Sequence, residues 1–187
     1  MRSFCFSLLL LALAACSSTD SAGPTEATSK VAISPAPAGK VLREAAVTHN
    51  FSSTEKPDSF RLQLLGDDAL TADAHFFITS AAGDTLWSEH FPAKALLKDE
   101  PPIAASADRQ AYILKRVDTF FQAPHFSAHA IDAKRVFDAD YNGSRETWTE
   151  IQQLQSPGFE YLLGDENTRT LAYSPKQAKA VAVHSCC

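Results

Sequence analysis

Short alternating segments between residues 47 and 91 constrain this fold more than any other feature of the sequence. In each segment every second residue shares one face, the pattern of a β-strand with one buried and one solvated side. The residues that share a face in the four segments are Val47, His49 and Phe51; Phe60, Leu62 and Leu64; Ala74, Phe76 and Ile78; and Trp87, Glu89 and Phe91. The segments are joined by short connections, including a glycine-containing link at residues 81–84. Such links leave no room for crossover helices and predict an antiparallel meander.

The middle of the chain changes to helical spacing. Ser106 is a candidate N-cap, and apolar residues follow it at helical intervals as far as Phe121, before Pro124 stops the helix. A second helix is expected to begin at Ser144 and to end before Pro157. It is expected to carry Trp148, Ile151 and Leu154 on one side. Between these two helices, residues 128–136 are a candidate third helix.

Strand patterns return near the end of the chain and complete the predicted fold. Phe159, Tyr161 and Leu163 alternate with polar or exposed positions, and two further strands are predicted at residues 168–173 and 180–184. The order of strands, helices and strands predicts an α+β class. We expect a single domain with an antiparallel meander sheet, and two or three helices inserted before the last strands that cover one face of it.

Composition excludes several classes of protein. The chain has 187 residues, of which 45% are hydrophobic and 21% charged, so disorder throughout is excluded. It has 17 Lys and Arg against 22 Asp and Glu, a formal net charge of −5, and no basic cluster. We therefore expect no nucleic-acid partner. The cysteines stand at positions 5, 16, 186 and 187, where none can bridge the interior of a domain.

The N-terminus has the pattern of a targeting segment. Arg2 precedes an apolar run at residues 4–15, which is shorter than the roughly 20 residues of a membrane-spanning helix but suits a signal peptide. The run ends in Leu13-Ala14-Ala15-Cys16, which resembles the lipobox of bacterial lipoprotein precursors. The alternative is an ordinary cleaved signal peptide with a chance cysteine.

The lipobox resemblance implies a lipid anchor and a location. Cleavage before Cys16 would leave that residue at the new N-terminus, carrying a diacylglycerol thioether and an N-acyl chain such as palmitate. No other cofactor is expected. Ser17 stands where the Gram-negative sorting rule places Asp for retention in the inner membrane. The resemblance therefore implies the outer membrane, with the domain on its periplasmic face. Several acyl chains make such a tether nearly permanent.

A linker separates this anchor from the domain. Residues 17–40 are rich in Ser, Thr, Ala, Pro and Gly and contain no aromatic residue. As a flexible coil they would span roughly 25–30 Å. The first aromatic residue after the signal is Phe51, which favours a boundary near Lys40. We expect a signal peptide at residues 1–15, the lipidated cysteine and flexible linker at 16–40, and the α+β domain at 41–187.

One acidic loop partly matches a calcium-binding loop. Asp138, Asp140 and Asn142 supply oxygen ligands at positions 1, 3 and 5, and Gly143 follows at position 6. Position 12 is Thr149, where a bidentate Glu is required. A metal site on these oxygens is therefore a hypothesis beside a simpler one, a surface turn that leads into the second helix.

The C-terminus ends in His184-Ser185-Cys186-Cys187. An imidazole and two thiols are suitable ligands for Cu(I) or Zn(II). Alternatively, Cys186 and Cys187 form a vicinal disulfide. Adjacent Cα atoms lie about 3.8 Å apart, below the usual disulfide range of about 4.4–6.8 Å, so that bond would be strained and easily reduced. A third interpretation is a terminal pair that is oxidised in the periplasm without a special role.

The remaining histidines and the missing motifs limit catalytic interpretations. His125 and His129 are four residues apart but lack the Glu of a zinc-protease motif. His49, His75 and His90 lie in predicted strands, and their common face is not resolved by the sequence. Hydrogen-bonded or surface imidazoles are expected for both sets, with a metal site as the alternative. The sequence contains no nucleophile elbow, phosphate loop or dinucleotide fingerprint, so we assign no catalytic residue.

These features favour a lipid-anchored periplasmic lipoprotein of the outer membrane. We expect a non-enzymatic domain that binds another envelope component, either a protein or a glycan, while the lipid holds it at the membrane. One alternative is a metal-binding or thiol-redox protein that uses His184, Cys186 and Cys187. A second alternative is an envelope hydrolase with dispersed catalytic residues.

Overall fold

The first four strands form one antiparallel sheet in chain order. They are β1 (Val41–His49), β2 (Asp58–Leu65), β3 (Asp73–Thr79) and β4 (Thr85–Pro92). The structure is a computed structural model that describes residues 39–98 and 102–186. The predicted hairpin between β3 and β4 is confirmed, because the Ser80 amide donates to the Asp84 carbonyl over 2.8 Å. Gly83 adopts a φ of 94° in this turn, a conformation that favours glycine.

The last four strands form a second antiparallel sheet, also in chain order. They are β5 (Phe126–Ser127), β6 (Gly158–Leu163), β7 (Asn167–Ser174) and β8 (Lys179–Cys186). The helices are α1 (Ser106–Asp118), between β4 and β5, and α2 (Arg145–Leu154), between β5 and β6. Short 3-10 turns occupy Ala93–Leu96 and Ala123–His125.

Aromatic side chains hold the two sheets together. Phe60 on β2 and Phe76 on β3 are fully buried and point at β6 of the second sheet. The Phe60 and Phe159 ring centroids lie 5.3 Å apart, and the Phe76 and Tyr161 centroids also lie 5.3 Å apart. Edge-to-face aromatic pairs at such distances each contribute about 0.5–1.5 kcal/mol beyond the burial of their area. The main core is therefore the layer between the two sheets.

Helix α1 packs into this main core, and two consecutive aromatic residues that follow its end also reach the core. Ile113 and Val117 are buried in the core. The helix ends at Asp118, where Thr119 caps it by donating from its hydroxyl to the Lys115 carbonyl over 3.0 Å. Because the helix stops there, Phe120 and Phe121 both reach the core, with their centroids 5.1 Å apart. The helix thus ends three residues earlier than the sequence predicts.

Helix α2 covers the opposite face of the second sheet. Its Trp148 and Ile151 pack against Ala172 of β7 and Val183 of β8 in a second, smaller core. Ser144 caps the helix as predicted, because its Oγ accepts from the Thr147 amide over 3.1 Å. The two helices therefore pack on different faces and do not cover one face together.

The predicted α+β class is confirmed, but the single meander sheet is wrong. Residues 39–98 and 102–186 form two four-stranded sheets and two α-helices. Alternation correctly identified the buried faces of β2, β3 and β6, since Leu62, Ile78 and Phe159 are all fully buried. Alternation says nothing about whether strands far apart in the chain share one hydrogen-bonded ladder, so the second sheet was not foreseen.

The candidate third helix at residues 128–136 is also wrong, because the described chain forms turns there. Asp132 closes a local turn by accepting from the Lys134 amide over 2.7 Å. Gln152 of α2 donates its Nε2 to the Asp132 and Arg135 carbonyls, over 3.1 and 3.0 Å. Both interactions use backbone amides and carbonyls that would be hydrogen-bonded to each other in a helix. Asp favours turns because its side chain competes for these backbone groups.

Two smaller helix predictions need correction. Ser106 is not the N-cap of α1, because Ala105 holds that position and no side chain caps it. Leu154 shares the apolar spacing of Trp148 and Ile151, yet the residue is 55% exposed. The last apolar residue of α2 therefore faces solvent.

Candidate functional site

An open groove lies along α2, where Leu154 is exposed. The groove has a volume of about 670 Å³ and separates the helix from the turn between β7 and β8. Its lining side chains are Arg145, Glu146, Thr149, Glu150, Gln153, Leu154, Pro175 and Lys176. The volume is within the range of about 300–1,000 Å³ that is usual for ligand sites. None of the lining side chains is aromatic.

A buried carboxylate fixes the two walls of the groove. Glu150 of α2 accepts from the Ser174 hydroxyl over 2.9 Å and from the Lys176 amide over 3.1 Å. Lys176 also reaches back to Glu146 over 3.3 Å, although both side chains are largely exposed. Arg145 is held at the helix start, with its guanidinium 4.2 Å from the centroid of the Phe137 ring. The groove is therefore a preformed surface whose charged rim has defined positions.

The structure brings together two candidate metal sites that the sequence places 42 residues apart. Asn142 donates from Nδ2 to the Val183 carbonyl over 2.9 Å, and that same nitrogen lies 3.4 Å from His184 Nδ1. The Ser185 amide donates to the Tyr141 carbonyl over 2.8 Å. The acidic loop is thus docked on the end of β8, with His184 beside it.

The predicted calcium ligands serve the turn in this structure. The Asn142 side-chain oxygen accepts from the Asp138 amide over 2.9 Å, and the Asp138 Oδ1 accepts from the Asp140 amide over 3.0 Å. Asn142 is buried, whereas Asp138 and Asp140 are exposed. Within residues 39–98 and 102–186, no three His, Cys, Asp or Glu side chains are grouped as ligands for one metal ion.

His184 lies beside a cation. Its Nδ1 is 3.1 Å from the Arg135 Nη2. Burial and then the Arg135 charge lower the pKa of His184, although Glu160 and Asp138 act in the opposite direction. A β-bulge opposite Thr170 and Leu171 leaves Val183 without a partner in the register, directly before His184. A metal ion bound at His184 would first have to displace the arginine.

Replacing Arg135 should raise the pKa of His184. Arg135→Gln removes a positive charge from beside the imidazole, so protonation of His184 becomes easier. NMR titration of the imidazole resonances measures this shift directly. Lys134→Gln is the matched control, since it removes an exposed neighbouring charge that has no contact with His184. Equal His184 titration in the parent and in Arg135→Gln would show that the arginine does not set this pKa.

The cysteines are described only in part. Cys186 is the last residue of β8, half-buried and opposite Thr168 of β7. Cys187, the proposed anchor Cys16, the signal peptide and all of the linker except residues 39 and 40 lie outside the described residues. Lipidation of Cys16, a bond between Cys186 and Cys187, and metal binding by this pair therefore stay predictions.

His49, His125 and His129 hold local structure. His125 Nδ1 lies 2.7 Å from the Phe120 carbonyl, and His129 Nδ1 lies 3.0 Å from the Gln155 carbonyl. His49 stacks on Phe126 with the ring centroids 4.2 Å apart. His125 and His129 do not share a helical face, because the chain is not helical between them.

A polar cluster that the sequence did not predict lies between the two sheets. Glu89 of β4 lies directly opposite Phe76 and so points inward. It accepts hydrogen bonds from the Tyr161 hydroxyl and from the Arg169 guanidinium. Its side chain is 13% exposed and that of Arg169 is 31% exposed. The one available signal was the position of Glu89 between Trp87 and Phe91 on the apolar face of its strand.

Tyr161 should make the fold sensitive to alkali. Burial, and then the hydrogen bond to Glu89 and its charge, raise the pKa of Tyr161 above its usual range. The folded protein keeps this proton after the unfolded chain loses it, so the free energy of unfolding falls above about pH 10, by about 1.4 kcal/mol per pH unit. Below pH 10 the contribution is fully present.

Denaturant unfolding between pH 9 and pH 11.5, compared with Tyr161→Phe, measures this contribution. The stability of the phenylalanine variant should fall less steeply over that interval. Ionisation followed by ultraviolet absorbance should also show one tyrosine that resists titration until the protein unfolds. Parallel stability curves for the two proteins would contradict the assignment.

Comparison with known proteins supplies no function for this site. The chain matches no protein-family model, no curated protein and no solved structure. No helix in the described part of the chain is both long and apolar enough to cross a membrane. The fold and the site define a two-sheet α+β domain with one open groove beside α2.

Proposed function

We propose that this chain is a lipid-anchored, non-enzymatic binding domain of the outer membrane, facing the periplasm, which holds a segment of another envelope protein in the α2 groove. The observation that carries the binding role is the preformed groove with Leu154 exposed at its side. The lipobox at residues 13–16 supports the anchor. The linker would give the domain a reach of roughly 25–30 Å from the membrane.

The chemistry of the groove favours a protein segment over a glycan. Sugar rings are commonly held by stacking on aromatic side chains, and the groove has none. Leu154, Pro175 and the aliphatic stems of Arg145 and Lys176 offer apolar area, as long charged side chains do along a surface. Their charged ends, with Glu146, form a polar rim around that area. A small apolar centre inside a polar rim is the usual anatomy of a protein interface.

For neither alternative function do the described residues supply an observation comparable to the groove. A metal site at the C-terminus would use His184, whose Nδ1 lies 3.1 Å from the Arg135 Nη2, and a thiol-redox role would use Cys187, which lies outside the described residues. A hydrolase would need polar groups free to act on a substrate. The inward-facing cluster at Glu89 instead satisfies its own members, since Tyr161 and Arg169 both donate to the one carboxylate.

Site-specific photo-crosslinking in cells tests the binding role. A photo-reactive residue at Gln153, which is exposed in the groove, should crosslink a discrete envelope protein that mass spectrometry can identify. The same residue at Glu55, exposed in the loop between β1 and β2, is the control position. Leu154→Asp should remove the Gln153 crosslink. Val41→Asp, at a residue 47% exposed on the first sheet, should leave it intact.

The proposal fails if Gln153 and Glu55 give the same crosslinks, or if Leu154→Asp leaves the product unchanged. A glycan attached to the probe at Gln153 would keep the groove as the site but contradict the choice of a protein partner. Far-UV circular dichroism of each variant verifies that the domain is folded.

A further inference from the structure

A row of four polar side chains crosses the solvated face of the first sheet. Glu44, Gln63, His75 and His90 stand opposite one another in register on β1, β2, β3 and β4. Their neighbours in β2 and β3 are buried, so this row lies on the side of the sheet away from the core. The two imidazoles are therefore open to a ligand from outside.

The two rings are close enough to hold one ion. The centroids of His75 and His90 lie 3.8 Å apart, with ring planes at 65°. Two nitrogens bound to one zinc ion at about 2.0–2.1 Å are roughly 3–3.5 Å from each other, which places the two ring centroids about 4.5–5 Å apart. The two rings would therefore have to separate slightly, by rotation of their side chains, to bind one ion. We propose that His75 and His90 form a two-imidazole site for a divalent transition-metal ion of the copper and zinc type.

The surroundings suit a cation. Asp73 lies two residues before His75 on the same face of β3, and its charge acts on the His75 ring. This contrasts with His184, whose nearest charged neighbour is an arginine.

Gln63 is placed to orient the His75 ring. Its Nε2 donates to the Glu44 Oε2 over 2.7 Å, which leaves its amide oxygen as an acceptor. Histidines that bind metal usually donate their second ring N–H to such an oxygen, which fixes the ring and its tautomer. Gln63 stands directly opposite His75 in the register of β2 and β3, so we expect its amide oxygen to accept from the ring when a metal ion is bound.

The ligand set selects the class of ion. Two imidazoles suit copper and zinc, whereas calcium and magnesium require several oxygen ligands. Water would complete the coordination, because the pair supplies only two protein ligands. Among divalent first-row ions, Cu(II) should bind most tightly. This site is on the first sheet and does not depend on the α2 groove or on its partner.

Zinc titration of the full lipidated chain in detergent tests the site. The parent should carry Cys186→Ser and Cys187→Ser, so that the C-terminal thiols do not contribute. Isothermal titration with Zn(II) alone should give one saturable site per chain. His75→Ala and His90→Ala should each abolish it, while His129→Ala, in the second-sheet region, should leave it unchanged.

Cu(II) paramagnetic resonance gives a second readout that a folding defect cannot imitate. The parent should show coupling to two imidazole nitrogens, and each single histidine variant should lose one of them. Gln63→Ala should weaken Zn(II) binding by roughly 10–100-fold, the usual effect of losing an outer partner. Unchanged Zn(II) binding in both histidine variants, or no saturable binding in the parent, would overturn the proposal.

Discussion

Phe76→Ala is expected to lower the free energy of unfolding by about 3–5 kcal/mol, the usual cost of removing a buried aromatic ring. Phe76 is fully buried and its ring contacts four other aromatic rings within 6 Å between centroids, those of Phe120, Phe121, Phe159 and Tyr161. Phe159 and Tyr161 belong to β6 of the second sheet, and Phe120 and Phe121 follow the end of α1, so Phe76 joins the first sheet to both. Truncation would open a cavity at the point where all three elements meet.

The adjacent residue provides the control for this measurement. Phe77 points to the solvated side of β3, where its ring lies 5.8 Å from the Arg61 guanidinium carbon. Phe77→Ala should cost no more than about 1 kcal/mol, in the range of a surface cation–π contact. Urea or guanidinium unfolding of both variants measures the difference. Equal losses would contradict the assignment of Phe76 to the layer between the sheets.

Glu89→Ala is expected to lower the free energy of unfolding by about 2–3 kcal/mol. The substitution leaves Arg169 without its carboxylate and removes the acceptor of the Tyr161 hydroxyl. Breaking a fully buried ion pair costs about 3–5 kcal/mol, and the 31% exposure of the Arg169 side chain reduces that value here. Glu89→Gln should cost less, since its amide oxygen still accepts from Tyr161.

An exposed carboxylate gives the comparison for Glu89. Glu146 pairs with Lys176 over 3.3 Å, with 80% of its side chain exposed. Glu146→Ala should change stability by no more than about 0.5 kcal/mol, because solvent screens such pairs. Denaturant unfolding near neutral pH distinguishes the two. If Glu89→Ala were as mild as Glu146→Ala, the cluster between the sheets would not contribute to stability.

Strand alternation and helix capping depend on residues close together in the chain, and the sequence predicted most of these features correctly. The alternation of Phe60, Leu62 and Leu64 correctly gave a strand with one buried face, and Ser144 was correctly predicted as a helix cap. Both depend on residues within a few positions of each other. Ser106 failed as a cap although its residue type is favourable, because the helix begins one residue earlier, at a backbone without a side-chain partner.

The parts that could not be predicted depend on distant contacts. The turn at residues 128–136 is fixed by Gln152, which lies up to 20 residues further along the chain. The partition into two sheets depends on which aromatic faces meet, as for Phe60 and Phe159. Alternation in each strand is the same whether the strands form one sheet or two.

The candidate sites also combine features that neighbouring residues predict with features that depend on distant contacts. The spacing of Trp148, Ile151 and Leu154 indicates one apolar side of a helix, but only the tertiary structure shows that Leu154 is exposed and lines a groove. Likewise, His75 and His90 are separated by a hairpin whose register decides whether they meet. That register places them directly opposite each other.

Incorporation of labelled palmitate tests the central claim, that the domain acts from a lipid anchor at Cys16. The full chain, expressed in a Gram-negative bacterium, should carry the label and fractionate with the outer membrane. Cys16→Ala should abolish labelling, whereas Cys5→Ala, which changes a cysteine inside the signal peptide, should retain it. Label that persists in Cys16→Ala, or that is absent from the full chain, would contradict the account.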